Sequence, residues 1–435
     1  MEEVILIIGA GAAGLMAAKT LSQAGKKIIV LEARDRPGGR AFTITGNTFS
    51  YPAEAGAEFV HGNLKLTLSL LKEAEIPYFQ KHNTAYRLVK GNIHEPEEFI
   101  EGFDLVMEKL RQLKEDLPFA SFLEEYFPED HYKELKNQVS SFAEGYDAAD
   151  VKKISSFYLR EEWSEDVTEI SYHIEGGYVR LINYLQSETE RTGSHFYFNR
   201  TVKEIHWTEG DVLVKDNNGS IYKGNKIIIT VPVSVLTSSV DHPANIRFIP
   251  ELPVKQAALR KYGSGGVIKI ICEFKSAFWN DASLKNEVKI QLPDLGFLIT
   301  DAFIPTWWTQ ISSDIPLLTG WIGGTAAGKI SNLKNEEIIF KAREALQYCF
   351  GVTEEFIERQ IRQIKVVNWI TDPFALGAYT YATVESAESR KEMRRPESNT
   401  IYFAGEGYYE GHAPATVEAA LVSGEQTANQ ILTGS

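Results

Sequence analysis

Val4-Ile5-Leu6-Ile7-Ile8 is an unbroken apolar, β-branched run close to the first residue. A run without polar alternation suits a parallel strand covered on both faces. Gly9 interrupts it, helical spacing follows over about residues 14–24, and Gly25 precedes a second apolar run at residues 27–31. This pattern predicts a βαβ unit of about 30 residues. Between about residues 64 and 160 the texture changes to long amphipathic stretches rich in Glu and Lys, such as residues 96–116, which predicts a helical insertion. Strand-like β-branched segments return at residues 195–207, 212–215, 227–231 and 265–274, and an acidic helix is predicted over 335–350. A last strand, 400–404, leads through Gly405 into a helix expected to start at Pro414. The sequence contains no internal repeat and no low-complexity linker.

At 435 residues with 43% apolar content, the chain exceeds one ordinary core, so two domains are expected. The formal charge of −14 argues against a nucleic-acid binder, which needs clustered Lys and Arg. The same acidity suits cationic substrates and plain solubility equally well. Cys272 and Cys349 sit among apolar neighbours, which predicts two buried thiols rather than a disulfide or a metal site. The first strand begins at Val4 and no run of about 18 apolar residues occurs, so the expectation is an unanchored, cytoplasmic protein with no membrane partner.

Candidate chemistry begins at Gly9-Ala10-Gly11-Ala12-Ala13-Gly14, a G-x-G-x-x-G run directly after a strand and at the mouth of a helix. The first glycine allows a tight turn, the second lets backbone approach a pyrophosphate, and the third permits close helix–strand packing. Glu32 ends the second strand 18 residues beyond Gly14, where a carboxylate can accept hydrogen bonds from a ribose. Such glycine spacing alone is weak, but the order strand, turn, helix, strand, acid is the one a dinucleotide site requires. NAD and FAD are not separated by it.

The segment Leu31-Glu32-Ala33-Arg34-Asp35-Arg36-Pro37-Gly38-Gly39-Arg40 resembles the second glycine-rich signature of the flavin amine oxidase family, which includes monoamine oxidases, polyamine oxidases and lysine-specific histone demethylases. Gly56-Ala57-Glu58-Phe59-Val60-His61-Gly62 is similar to that family's next motif, and Tyr402-Phe403-Ala404-Gly405-Glu406 with Pro414-Ala415-Thr416-Val417 to its C-terminal one. The resemblance implies FAD as cofactor, held by Gly9, Gly11, Ala13, Gly14, Glu32, Ala33, Arg34, Gly39, Arg40, Gly56, Ala57, Glu58, Val202, Gly405, Glu406, Thr416 and Val417. It further implies an α/β fold: a discontinuous Rossmann-like FAD-binding domain (1–75, 190–250 and 370–435) and a second, α+β substrate-binding domain (76–189 and 251–369) carrying the helical insertion.

Lys269 is a single charge within Val267-Ile268-Lys269-Ile270-Ile271; a strand lysine ordinarily faces solvent. In the family, however, the matching lysine holds a water against flavin N5, and the positions of Trp369 and Tyr379 pack near the ring and wall an aromatic cage. The implied catalytic set is therefore Lys269, Tyr379 and Trp369, without a metal. Ala378 stands where monoamine oxidases carry the flavin-bonding cysteine, so the cofactor is expected to be non-covalent. Neither Ala413 nor Thr416, the positions for a facing cage tyrosine, is aromatic. The implied reaction is oxidation of an amine to an imine by hydride transfer to flavin N5, with O2 as acceptor and hydrogen peroxide as product. A flavin-dependent desaturase or protoporphyrinogen-oxidase-like enzyme, and a catalytically silent FAD-stabilised scaffold, are the alternatives; the amine and the oligomeric state stay open.

Overall fold

A computed structural model gives the fold for residues 3–81, 84–94, 100–163 and 171–434. Five parallel strands form one sheet in the order His195–Tyr197, Lys27–Leu31, Val4–Ile8, Lys226–Ile229, Ile401–Phe403. Its strands come from three separated stretches of sequence. The continuous apolar run has a direct cause. Ile5 and Ile7 pack among Leu15, Leu21 and Leu421 from helices Ala12–Gln23 and Val417–Thr433. Leu6 and Ile8 pack on the other face among Ile205, Val212 and Val214. Those three residues belong to a four-stranded sheet ordered Ile221–Gly224, Asp211–Asp216, Val202–Thr208, Arg247–Ile249. The two helices cross at Gly424, where an added Cβ would lie 2.2 Å from the Ala13 carbonyl oxygen.

A second, seven-stranded sheet runs Ile361–Asn368, Val267–Phe274, Leu317–Gly323, Thr306–Thr309, Leu295–Thr300, Thr84–Val89, Asn92–His94. Helices Asn335–Phe350 and Glu354–Gln360 cover one of its faces, burying Ile338, Leu346, Phe350 and Ile357 against Ile268, Ile270 and Trp307. Side chains alternate across a strand. Lys269, between Ile268 and Ile270, therefore faces the opposite side. Helices Phe103–Gln112, Phe119–Tyr126, Lys133–Tyr146 and Ser156–Glu162 have a separate core that includes Val106, Leu110, Phe122, Val139 and Leu159.

Three expectations are corrected. The helical insertion is not purely helical, because strands Tyr78–Gln80, Thr84–Val89 and Asn92–His94 lie inside it. Tyr86 and Leu88 are buried and Arg87 less so, a period of two too short to stand out beside the long charged helices. Residues 95–99, where the expected stretch from residue 96 begins, lie outside the described residues. The single strand expected over 195–207 is two strands in different sheets, separated by a turn in which Asn199 has φ of +55°. The terminal helix starts at Val417 rather than Pro414: the Thr416 hydroxyl accepts the Ala419 N–H at 3.2 Å, capping the helix there. Pro414 lies in the preceding loop between Ala413 and Ala415, both in the left-handed region at φ of +56° and +59°.

Candidate active site

The first site residues gather at the N-terminus of helix Ala12–Gln23. Gly9 has φ of +104°, a turn that favours glycine. A Cβ on Gly14 would lie 2.0 Å from the Gly9 carbonyl oxygen, so that glycine is demanded by packing within the chain itself. Gly11 is different: a Cβ there would meet nothing within 4 Å. No side chain caps the helix at Gly11. The Gly38 N–H donates to the Ala10 carbonyl at 2.8 Å, and a Cβ on Gly39 would come 3.6 Å from the Gly11 Cα, which seats the second glycine-rich segment on the first. Open space beside Gly11 and the positive end of a helix fit a pyrophosphate.

Glu32 is 6% exposed; one carboxylate oxygen accepts the Ala10 N–H at 2.7 Å and the other the Arg34 N–H at 2.8 Å. Burial raises its proton affinity above the ordinary carboxylate range, and the two amides oppose this. Ala33 lies in the bend that follows, and Val202 shares a buried cluster with Leu31. Arg34 spends two guanidinium nitrogens on Asp372, at 2.5 and 2.9 Å, tying the second signature to residues 368–378. Arg40 donates to the Ala378 carbonyl and to Glu406 at 2.9 Å, and Glu406 also accepts the Thr380 hydroxyl at 2.6 Å. Gly405 donates to the Ser423 hydroxyl at 3.0 Å, leaving Thr416 and Val417 at the start of the last helix. The residues expected at the two chain ends are thus brought together by Arg40 and Glu406.

Lys269 is 1% exposed rather than solvent-facing. Its Nζ donates to Glu58 Oε2 at 2.9 Å, the Gly56 carbonyl at 3.0 Å and the Glu54 carbonyl at 3.1 Å. An ammonium has three donors. All three are engaged by residues 54–58. The Trp369 indole donates to the Ala55 carbonyl at 2.9 Å, and Gln310 exchanges two bonds with the Glu54 backbone, at 2.8 and 3.0 Å. A Cβ on Gly56 would lie 1.8 Å from the Arg40 carbonyl oxygen, which also accepts the Ala57 N–H at 3.0 Å. The segment 54–58 is therefore held from both sides. The Glu54 carboxyl, fully buried, is pushed up to about 7 by loss of solvent.

Aromatic rings surround this segment. Tyr379 donates to the Tyr146 carbonyl at 2.5 Å and Trp321 to the Gly145 carbonyl at 2.8 Å, both at the end of helix Lys133–Tyr146. Burial, then the Asp147 carboxylate, raises the Tyr379 phenol well above its usual range. His61 lies with its ring centre 6.0 Å from Tyr146 and 5.3 Å from Phe59, and burial lowers it to about 4, so it is neutral at pH 7. Neither Ala413 nor Thr416 is aromatic, and the Thr416 hydroxyl donates to the Ala413 carbonyl at 2.6 Å. Sequence reasoning missed Trp308, Trp321, Tyr146 and Glu54. Only the first two left a signal, in the aromatic-rich stretches through Trp307, Trp308 and Trp321.

The family described as flavin containing amine oxidoreductase matches residues 12–432, and the chain belongs to it. It is accordingly an oxidoreductase with FAD as its cofactor. Lysine-specific histone demethylase 1 homolog 2 of Arabidopsis thaliana is 26% identical over 99% of this chain and 58% of the relative, and homolog 3 is 25% identical over 99% and 30%. The chain thus spans 30% and 58% of the lengths of these two relatives. Polyamine oxidase 3 of Oryza sativa subsp. japonica is 26% identical over 98% of this chain and 89% of the relative. Solved structures of putrescine oxidase bound to putrescine and of cyclohexylamine oxidase from Brevibacterium oxydans IH-35A each share the fold at a TM-score of 0.80, with 19% identity over 100% of this chain and 99% of theirs. Among the described residues no helix is long and apolar enough to cross a membrane.

Proposed function

We propose that this chain oxidises an amine at its C–H/N–H unit to the imine. Residues 1–75, 190–250 and 370–435 would hold FAD, and residues 76–189 and 251–369 would present the substrate. The observation that carries the reading is the buried Lys269–Glu58 pair, 2.9 Å apart, set beneath Trp308 and Trp321 on the segment 54–58. Burying two charges costs several kcal/mol, so a pair kept in such a place points to a task beyond packing. When bound, FAD supplies the hydride acceptor at N5, and O2 takes the electrons onward to give hydrogen peroxide.

The chain's own contribution is placement. Gly9, Gly11, Ala13 and Gly14 bind the pyrophosphate, Glu32, Ala33 and Val202 the adenosine end, and Arg34, Gly39, Arg40, Gly405, Glu406, Thr416 and Val417 close around the remainder. Gly56, Ala57 and Glu58 offer backbone to the ring, while Trp369 and Lys269 hold that backbone still. Tyr379 walls the substrate side, and the small residues Ala413 and Thr416 leave room for a secondary, cyclic or otherwise bulky amine. A cytoplasmic setting accords with this reading. The test is peroxide release from the FAD-loaded protein on putrescine, spermidine, cyclohexylamine, benzylamine and an N-methylated lysine peptide. Release on at least one amine supports the reading, and none on any member of a broad panel overturns it.

A further inference from the structure

Trp308 lies in strand Thr306–Thr309, and pleating sends the two adjacent tryptophans in opposite directions. Trp307 is packed in the helix-covered core beside Gly320, whose added Cβ would lie 2.9 Å from its ring. Trp308 instead faces the side that carries Lys269. Its indole Nε1 donates to Glu58 Oε1 at 2.8 Å while Glu58 Oε2 accepts Lys269 Nζ at 2.9 Å, so the carboxylate is gripped at both oxygens. The Lys269 Nζ also sits 5.4 Å from the Trp308 ring centre, within reach of the ring's negative face. One side chain therefore touches both members of the ion pair. It fixes the carboxylate by a hydrogen bond and the ammonium by its ring. Phe59 and Phe297 rings, 5.9 and 6.0 Å away, hold the indole in its turn.

We propose that Trp308 is a positioning residue for the oxidation, acting on the flavin side only through the Glu58–Lys269 pair that it aligns. The proposal rests on the reading that Lys269 faces the flavin. Without the indole N–H, one oxygen of Glu58 loses its donor, the carboxylate is free to rotate, and the lysine loses a fixed partner. Buried, charge-assisted hydrogen bonds confer this kind of geometric control, and their loss is felt at the group they orient.

The test compares Trp308→Phe, Lys269→Met and the double variant as FAD-loaded proteins. Trp308→Phe keeps a ring and removes the donor. The readouts are the reduction potential of bound FAD, measured against indicator dyes, and the rate of anaerobic flavin reduction by whichever panel amine bleaches the wild type. Trp308→Phe is expected to shift the potential and slow reduction about tenfold, and to have no further effect once Lys269 is methionine. A merely structural role would instead add its effect in both backgrounds. Wild-type values in Trp308→Phe, multiplied effects in the double variant, or an unchanged potential in Lys269→Met each overturn the proposal. If Trp308→Phe does not retain FAD, Glu58→Asp tests the same link, because it withdraws the carboxylate from both partners and keeps its charge. The same non-additivity with Lys269→Met is expected, and additivity overturns the proposal. The dye titration needs no amine, so it decides on Trp308 even where the amine panel fails and the proposed function falls.

Discussion

Gly11 and Gly14 belong to one motif but answer to different demands, and substituting each in turn separates the cofactor from the fold. Gly11→Val places its Cβ where nothing beyond the neighbouring backbone lies within 4 Å, at φ of −74° that any L residue adopts. Valine is a poor helix cap, costing about 1 kcal/mol, while losing glycine's flexibility in the unfolded chain returns about 0.4–1 kcal/mol. The apo stability should therefore move by no more than about 1 kcal/mol. Gly14→Ala instead drives a methyl to 2.0 Å from the Gly9 oxygen and 2.8 Å from the Thr230 hydroxyl. The first clash is with backbone, so the cost should reach or exceed the ~1–3 kcal/mol of overpacking. Urea unfolding of both apo variants, repeated with FAD, reads the two effects. FAD at about 1,000 times its Kd should add about 4 kcal/mol to the wild type. Gly11→Val should show a wild-type apo curve and no FAD increment, whereas Gly14→Ala should be unstable before FAD is added. A Gly11→Val protein that binds FAD stoichiometrically and gains the full increment would refute the placement of the pyrophosphate.

Acid precipitation of the yellow holoprotein should leave all the flavin in the supernatant, since Ala378 offers no thiol; flavin retained in a washed pellet contradicts this. Glu54 should make stability fall as pH rises. Its folded value of about 7 lies above the ordinary 4.5, so the folded state keeps a proton that the unfolded chain has released. The loss accrues between pH 4.5 and 7, totals about 3 kcal/mol, and should be absent from Glu54→Gln in urea titrations at pH 5 and pH 8; equal pH slopes in both proteins contradict it. Tyrosine at the open side of the cage should move relative kcat/KM toward slim amines by about tenfold, or about 1.4 kcal/mol. Thr416→Tyr sacrifices the cap on Ala419 and Ala413→Tyr must adopt φ of +56°, so FAD content is checked in both, and an unchanged substrate ratio in both ends the cage argument.

Four strands of the parallel sheet, Val4–Ile8, Lys27–Leu31, Lys226–Ile229 and Ile401–Phe403, were legible because they are largely buried and read as apolar runs, with Gly9 and Gly25 marking turns, whereas the exposed edge strand His195–Tyr197 was not separated from the strand after it. The helix Asn335–Phe350 was equally plain from its period and its acidic first turn. Strand Thr84–Val89 was not, because its stability comes from pairing with Leu295–Thr300, more than 200 residues away, and not from its own pattern. The glycine motifs announced the cofactor end of the site since their requirements are local. Lys269 was legible as a position, but its three acceptors lie on residues 54–58, two of them backbone carbonyls that leave no mark in sequence. The grip of Trp308 on Glu58 spans 250 positions and was invisible for the same reason.

The most direct measurement is anaerobic mixing of the FAD-loaded protein with the amine panel, followed by admission of air. At least one amine is expected to bleach the visible flavin band while a matched alcohol does not, and air then restores the colour with peroxide formed in proportion. A flavin that dithionite bleaches but no amine does would contradict it.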